Sequence, residues 1–306
     1  MSVLTKLNVS QFNKNDVSVV SVEGLENFDV GKIFDCGQCF RFDKVENSSH
    51  QKEFSGVAFG RFVSFAQDEN TLYIYGSTAE EYELIWKEFL AIEKEYSLID
   101  KQILASYKSE ALERAVSYGN GIRILAQDGF ETVISFIISQ NNNIPRIKKI
   151  IESLCQKCGE PIYIGEEMKN HLSGCSSLCA FPTPEAIYAL GEQGLFDLKT
   201  GFRAKYIYDA VSRIIDGRVN LSLVESEENI DRAIEYLSTV KGIGIKVASC
   251  ILLFGFAKYD AFPVDVWMKR VGEKYFPEQK ELSGKCFGRY AGIAQQYLFY
   301  YERYNN

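Results

Sequence analysis

Histidine is rare in this chain of 306 residues, which contains only His50 and His171. A histidine-rich metal site and a serine–histidine catalytic triad both need imidazoles in suitable places, so this scarcity argues against each of them. Long apolar runs are missing as well, since the longest, at about residues 247–257, is too short to cross a bilayer. The amino-terminal residues lack the basic and apolar regions of a signal peptide. We therefore expect a soluble, cytoplasmic protein.

Acidic residues outnumber basic residues in this chain. Thirty-four lysines and arginines face 41 aspartates and glutamates, which gives a formal net charge of -7. An acidic chain is weak evidence against nucleic-acid binding, because phosphates favour a basic surface. A local basic stripe can still bind DNA, so the positions of the basic residues matter more than their total.

Eight cysteines are present, and Cys36/Cys39 and Cys155/Cys158 have the C-x-x-C spacing. Disulfides are not expected in a cytoplasmic chain. We interpret the cysteines as free structural thiols and expect no metal, while a zinc site and a redox pair remain as alternatives.

The hydrophobic pattern changes along the chain and indicates an α+β protein. Up to about residue 110, apolar residues alternate in "VSVVSVEG", "CFRFDKV", "EFSGVAFGRFVSFAQ" and "TLYIYGS", which predicts antiparallel strands followed by a helix at 79–104. We therefore predict an amino-terminal antiparallel β-sheet domain at 1–110 and a mostly α-helical body of two lobes at 111–306. The predicted helices of the second part are 103–117, 129–140, 144–158, 184–191, 203–216, 226–239, 246–256, 265–275 and 283–301.

The stretch "LSTVKGIGIKVASCILLFGFA" predicts a helix, a hairpin with Gly242 and Gly244, and a second helix, at about 231–256. Glycines allow a tight turn and the close approach of another backbone. The amides at the start of the second helix form an anion site that suits a DNA phosphate. A simple turn is the alternative explanation of the two glycines.

Lys246 stands at the start of a segment that is apolar nearly all round and should be buried. Burial and the positive end of the helix both disfavour an ammonium ion, and the neutral amine is a nucleophile. Nineteen residues on, in "AFPVDVWMKRV", Asp265 follows Pro263 at the N-cap position of the next helix. The alternatives are a lysine that extends to solvent and an aspartate that only caps.

"VKGIGIKVASC…FPVDVWMKRV" resembles the helix-hairpin-helix motif of the base-excision DNA glycosylases, whose bifunctional glycosylase/lyase members carry both the lysine and the aspartate. Four further segments, spread over residues 36–301, resemble the 8-oxoguanine DNA glycosylase family: "CGQCFRF", "ISFIISQNNNIPRIKKI", "LKTGFRAKYI" and "YAGIAQQYLFYY". The resemblance covers nearly the whole chain. It implies double-stranded DNA containing oxidised guanine as the partner, and a protein that acts as a monomer, nucleoid-associated if bacterial.

The resemblance also implies a role for individual residues. Lys246 and Asp265 would be catalytic, and Gly37, Cys250, Pro263, Gln295 and Phe299 would form the pocket for the flipped base. Asn141, Arg146 and Arg203 would hold the estranged cytosine while Phe202 enters the gap in the duplex. Lys241, Gly242, Gly244 and Trp267 would lie at DNA phosphates. Further basic residues in these segments are Lys148, Lys149, Lys205, Lys269 and Arg270.

Two departures from the family pattern concern phosphate contacts. Trp267 stands where animal members carry a histidine, and Lys241 replaces a frequent proline. No cofactor is implied, although a monovalent cation on the hairpin carbonyls stays open. Two other functions remain as alternatives: a glycosylase for another base, such as thymine glycol or adenine, and a non-catalytic DNA-binding module.

Overall fold

The computed structural model describes residues 7–172, 178–280 and 282–305. Its amino-terminal part forms a six-stranded antiparallel sheet in the order β1-β2-β6-β5-β4-β3. The strands are β1 (Asn8–Lys14), β2 (Val17–Glu23), β3 (Phe42–Lys44), β4 (Lys52–Ala58), β5 (Arg61–Asp68) and β6 (Thr71–Tyr75). The α+β class and the predicted sheet are therefore confirmed.

Strand β1 was not predicted, and the strand expected at 39–45 is shorter than its pattern suggested. The sequence of β1, NVSQFNK, is mostly polar and mostly exposed because this strand lies at the edge of the sheet. Only its pairing with β2 identifies it as a strand. A half-buried alternation is the signal that sequence provides, and an edge strand exposed to solvent lacks it.

The helix predicted at 79–104 is interrupted. Helix α1 (Val30–Asp35) lies earlier, between β2 and β3. In the predicted range the chain forms α2 (Ala79–Glu81), a π-helical turn (Tyr82–Trp86) and α3 (Lys87–Phe89), and α4 (Tyr96–Ser106) starts separately. Ala91 lies in the left-handed region with φ of 50°. The buried guanidinium of Arg123 donates to the carbonyls of Ala91 at 3.0 Å and Lys94 at 2.8 Å. A residue distant in sequence thus stabilises a break that the local pattern does not reveal.

The rest of the described chain is mainly helical. The helices are α5 (Glu110–Gly119), α6 (Gly129–Ser139), α7 (Ile144–Cys158), α8 (Pro184–Ala189), α9 (Gly191–Leu195), α10 (Ala204–Ile215), α11 (Leu221–Ser226), α12 (Ile230–Leu237), α13 (Ile245–Phe256), α14 (Val266–Tyr275) and α15 (Ala291–Tyr304). The predicted bounds of α6, α7, α10, α13 and α14 agree with the structure to within one residue.

Other helix predictions were wrong in their bounds. The helix expected at 103–117 is divided between α4 and α5, and 226–239 contains the shorter α12. The helix expected at 283–301 begins only at Ala291, as α15. Two 3-10 turns, Gly284–Cys286 and Gly288–Tyr290, precede it, and Gly288 has φ of 66°. These errors lie at turns, where apolar periodicity continues although the backbone changes direction.

Helix α13 lies in the core of the helical part, and its residues from Val247 to Phe254 are all buried, as predicted. A segment between α7 and α8 packs on the outer face of the sheet, where Met168 joins Val17, Val19 and Val57. The helical part therefore contributes to the core of the sheet. The domain boundary at 110/111 stays a prediction.

Candidate active site

The predicted helix-hairpin-helix is present as α12, a turn and α13. Gly242 has φ of 83°, and a Cβ there would come within 2.4 Å of the Tyr206 ring, so both backbone and packing require glycine. Gly244, the N-cap of α13, has φ of -97°. A Cβ on Gly244 would meet nothing within 4 Å. The fold therefore does not require glycine at this second position, and the hairpin is open there to a partner backbone.

Lys246 lies in the first turn of α13 and is half-buried. Cys250 follows one helical turn later and is buried. Burial raises the pKa of the Cys250 thiol to about 11, against the opposing effect of the neighbouring Lys246 amine. The Lys246 amine therefore lies close to the buried thiol. Among the described residues, no ion pair within 4 Å joins Lys246 to a carboxylate.

Asp265 is the N-cap of α14, as the sequence predicted. Its Oδ1 accepts hydrogen bonds from the backbone amides of Trp267 at 3.0 Å and Met268 at 2.9 Å. These two bonds satisfy amides that have no partner within the helix and hold the carboxylate in one orientation. Capping and a catalytic role are compatible here, because Oδ1 alone accepts both bonds.

A small cavity, about 70 Å³ in volume, brings the two predicted catalytic residues together with the predicted base pocket. It is lined by Lys246 and Asp265, by the predicted pocket residues Gly37, Cys250, Pro263, Gln295 and Phe299, and by Cys36, Phe136, Phe254 and Gln296. The cavity has room for about two water molecules. It must therefore widen before a purine can enter.

Four of the lining residues were missed by sequence reasoning. Phe254 follows Cys250 by four residues and so lies on the same face of α13, a signal that could have identified it. Phe136 on α6 stacks on Phe254 with ring centroids 5.4 Å apart. Cys36 and Gln296 come from the loop after α1 and from α15. Burial raises the pKa of Cys36 to about 12, so both thiols of the cavity remain neutral.

Gln295 carries an unsatisfied polar atom. The residue is 5% exposed, and its buried Oε1 has no hydrogen-bond partner among the described residues. Leaving a buried acceptor unpaired costs about 1–3 kcal/mol. An amide oxygen in this position at a cavity is suited to accept a hydrogen bond from a ligand that enters.

Phe299, which lines the cavity, packs among other planar groups. Trp267 contacts it edge-on with centroids 6.5 Å apart, and the Arg303 guanidinium lies 5.8 Å from its centroid. Arg270 in turn lies 4.9 Å from the Trp267 ring. Trp267 thus packs against a residue that lines the cavity, a contact that the sequence did not predict.

The four residues expected at the opposite base and the gap differ in accessibility. Phe202 is 49% exposed and rests on the Arg203 guanidinium and the Tyr206 ring. Asn141, with φ of 47°, and Arg146 are also exposed. These three side chains are free to meet a partner.

Arg203 is only 3% exposed. Its guanidinium donates to the backbone carbonyls of Gln140 at 2.9 Å, Asn141 at 3.0 Å and Thr200 at 3.1 Å. Burial, and then the nearby Arg146, lower its pKa. In this structure Arg203 holds the loop that presents Asn141, a role that the sequence did not predict. A direct contact with cytosine stays a prediction.

The basic residues of the predicted DNA-contact segments differ in their surroundings, and their DNA contacts stay predictions. Lys241, at the start of the hairpin, is exposed, and its Nζ lies 3.9 Å from the Asp209 carboxylate on α10. Lys148 instead forms an ion pair with Asp43 at 2.7 Å and joins α7 to the sheet. The exposed basic residues of these segments are Arg146, Lys149, Lys205, Lys241, Lys269 and Arg270.

The cysteines of the described ranges are free thiols: Cys36, Cys39, Cys155, Cys158, Cys179, Cys250 and Cys286. Cys175 lies outside those ranges. Among the described residues, no group of three or more histidine, cysteine, aspartate or glutamate side chains is placed to hold a metal ion. No helix within the same ranges is long and apolar enough to cross a membrane.

Two family models match the chain. The amino-terminal domain of 8-oxoguanine DNA glycosylase matches residues 22–133, and the HhH-GPD superfamily of base excision DNA repair proteins matches residues 134–284. A probable N-glycosylase/DNA lyase of Methanothermobacter thermautotrophicus is 31% identical over 219 residues, which are 63% of this chain and 67% of that protein.

Solved structures agree over nearly the full length. MBOgg1 in complex with a low-affinity DNA ligand has a TM-score of 0.86 and 34% identity, with 98% of this chain and 99% of that chain covered. The 8-oxoguanine glycosylase/lyase of Clostridium acetobutylicum, in complex with double-stranded DNA containing cytosine opposite 8-oxoguanine, has a TM-score of 0.85 and 36% identity, with 98% of each chain covered. This chain belongs to the 8-oxoguanine DNA glycosylase family of helix-hairpin-helix base-excision enzymes.

Proposed function

We propose that this protein is a bifunctional DNA glycosylase/AP lyase that excises 8-oxoguanine opposite cytosine from duplex DNA. The observation that carries the proposal is the shared cavity: Lys246 and Asp265 line it together with the unpaired Oε1 of Gln295. A nucleophile, a carboxylate and a base-recognising amide are thus within reach of one bound nucleotide. The family and the DNA complexes of its relatives support the same function.

The base must leave the helical stack before it can be excised. In the proposed complex, the amides of the hairpin at Gly242 and Gly244 bind a phosphate, with Lys241 and Trp267 beside the DNA backbone. Phe202, already half-exposed, enters the gap and offsets part of the unstacking cost of a few kcal/mol. Asn141 and Arg146 donate hydrogen bonds to the acceptors of the estranged cytosine, and Arg203 joins them once its buried guanidinium turns away from the loop carbonyls that hold it in the free protein.

The flipped base then widens the cavity and is held on both faces. Phe299 stacks on one face, and Cys250 contacts the other while Pro263 completes the wall. The Gln295 amide pairs with the Watson–Crick edge, and the Gly37 carbonyl accepts the N7–H that oxidised guanine has and guanine lacks. Normal guanine has no hydrogen at N7 and leaves this buried carbonyl unpaired, which costs about 1–3 kcal/mol.

In the chemical step, the neutral amine of Lys246 attacks C1′. The new N–C1′ bond replaces the glycosidic bond, and the base departs with the bonding electron pair and takes up a proton. Asp265 stabilises the positive charge that builds on the sugar and helps to orient the attack. The sugar ring then opens to a protonated imine, loss of a C2′ proton expels the 3′ phosphate by β-elimination, and hydrolysis returns the lysine.

None of these steps uses a cofactor. The monomeric state and a cytoplasmic location, nucleoid-associated if the protein is bacterial, remain predictions, and whether a monovalent cation binds the hairpin carbonyls stays open. We expect DNA binding to weaken steeply as salt rises, since exposed basic residues of the protein release counterions from the DNA phosphates.

A panel of duplexes tests the substrate assignment. Each contains one 8-oxoguanine, thymine glycol, methylated adenine or normal guanine opposite cytosine or adenine, and single-turnover base release is measured. We expect the fastest release for 8-oxoguanine opposite cytosine. Faster release of another base would assign a different glycosylase, and tight binding without any base release would favour a non-catalytic module.

A further inference from the structure

Gln296 on α15 is 3% exposed and stands next to the proposed base-reading residue Gln295. Its Nε2 donates to the backbone carbonyl of Cys36 at a distance of 2.7 Å. Cys36 is 1% exposed, so this hydrogen bond is shielded from water. Both residues line the candidate cavity. The bond therefore connects the helix that carries Gln295 and Phe299 with the loop that carries Gly37.

The other side of this loop is held by Gln38, whose side chain is fully buried. Its Nε2 donates to the carbonyls of Ile33 and Arg123, each at 2.8 Å, and its Oε1 accepts from the Leu125 amide at 2.9 Å. Gln38 is thus fixed by α1 and by the segment between α5 and α6. Gln296 supplies the corresponding bond from the side of α15.

Between these two anchors lies Gly37, with φ of 80°. Glycine is the residue with the most backbone freedom, so its carbonyl orientation must be set by what holds its neighbours. The Cys36 carbonyl and the Gly37 amide share one rigid peptide plane. A bond that fixes the Cys36 carbonyl therefore restrains rotation about the N–Cα bond of Gly37, while Gln38 restrains the following peptide.

We propose that Gln296 is a positioning residue for recognition of the oxidised base, and that it acts by holding the Cys36–Gly37 peptide. This inference rests on the proposed function, in which the Gly37 carbonyl accepts N7–H. Guanine and 8-oxoguanine differ at N7 by a single hydrogen that changes an acceptor into a donor. Hydrogen-bond strength falls steeply with misalignment, so a carbonyl that is free to rotate would discriminate poorly.

The test uses a Lys246→Gln background, which should bind DNA without cleaving it, and compares Kd for two duplexes. One contains 8-oxoguanine opposite cytosine, and the other contains 8-bromoguanine opposite cytosine. Both bases carry a substituent at C8 and have the same Watson–Crick edge, but only 8-oxoguanine donates from N7. Gln296→Met has a similar side-chain volume and no donor. We expect it to weaken 8-oxoguanine binding about tenfold and 8-bromoguanine binding by less than about twofold.

Tyr297→Phe is the matched control. Tyr297 is the next residue of α15, and its hydroxyl donates to Asp100 at 2.8 Å in a buried contact that does not involve the Gly37 loop. This variant loses a buried hydrogen bond of the same helix and should keep the preference for 8-oxoguanine. A second variant, Gln296→Asn, keeps an amide but shortens the side chain by about 1.5 Å, one carbon–carbon bond. It should reduce the preference as Gln296→Met does.

Equal weakening of both duplexes by the Gln296 variants, or the same loss of preference in Tyr297→Phe, would overturn the positioning role. An unchanged preference in folded Gln296→Asn would do so too. If the Lys246→Gln protein with native Gln296 shows no preference for 8-oxoguanine, the proposed function itself fails and this inference fails with it. Thermal unfolding of each variant identifies any that does not fold.

Discussion

Replacing Asp265 by asparagine should separate the two roles of this residue. Its Oδ1 caps α14 through the amides of Trp267 and Met268, and an asparagine side-chain oxygen can accept the same two bonds. The negative charge is lost, and with it the stabilisation of positive charge on the sugar. We therefore expect Asp265→Asn to keep the stability of the protein and to lose most of its activity.

The magnitudes follow from the same contacts. Loss of a cap typically costs about 1 kcal/mol, so Asp265→Ala should lower Tm by about 2 °C in a chain of this length. Asp265→Asn should lower Tm by less than about 1 °C, since asparagine is an equally good N-cap. Removal of one preorganised electrostatic contact slows catalysis about 100- to 1000-fold, and we expect this loss of rate in both variants.

The assay is single-turnover release of 8-oxoguanine at saturating protein, together with thermal unfolding of the wild type, Asp265→Asn and Asp265→Ala. Saturation removes differences in DNA affinity from the comparison. If Asp265→Asn releases the base within about threefold of the wild-type rate, the charge is not needed and Asp265 only caps the helix. If Asp265→Asn is as unstable as Asp265→Ala, the capping geometry is not what we infer.

Three further predictions concern other parts of the molecule. Gly242→Ala should lower Tm, because it forces a side chain into left-handed backbone against Tyr206, whereas Gly244→Ala should leave Tm unchanged and raise Kd for duplex DNA. Phe202→Ala should slow base release while thermal unfolding stays within about 1 °C, since the side chain is half-exposed. Burial opposes ionisation of Glu53, but hydrogen bonds from His171, Ser48 and Ser64 outweigh it and lower its pKa to about 2. This carboxylate should stabilise the protein above about pH 4.5, and the contribution should disappear as the pH falls towards 2, so urea unfolding of Glu53→Gln should depend less on pH in that range.

The sequence contained the helix-hairpin-helix, the cap and most of the cavity, because each depends on local chemistry. Two glycines before an apolar helix specify the hairpin. Asp265, a residue type that favours the N-cap position, marks where α14 starts. Lys246 and Cys250 fall on one face by helical spacing alone. The family resemblance then supplied residues from distant segments, such as Gly37 and Gln295.

What could not be predicted depends on contacts between distant segments. The break at Ala91 needs Arg123, and β1 needs its partner strand. The sequence around Arg203 suggests an exposed cation. In the structure, the carbonyls of Gln140, Asn141 and Thr200 accept hydrogen bonds from its guanidinium. Gln296 has no distinguishing sequence signal, because its function depends on a carbonyl 260 residues away. Buried polar side chains of this kind become interpretable only when their partners are known.

Borohydride trapping tests most directly whether Lys246 is the nucleophile. The wild type, Lys246→Gln and Lys241→Gln are each incubated with a duplex that contains one 8-oxoguanine opposite cytosine, and the adduct is mapped by peptide mass. We predict a covalent adduct on Lys246 in the wild type and in Lys241→Gln at saturating protein, since the Lys241 amine faces Asp209. Lys246→Gln should form none. Base release by the wild type without an adduct, or an adduct that persists in Lys246→Gln, would contradict the proposed mechanism.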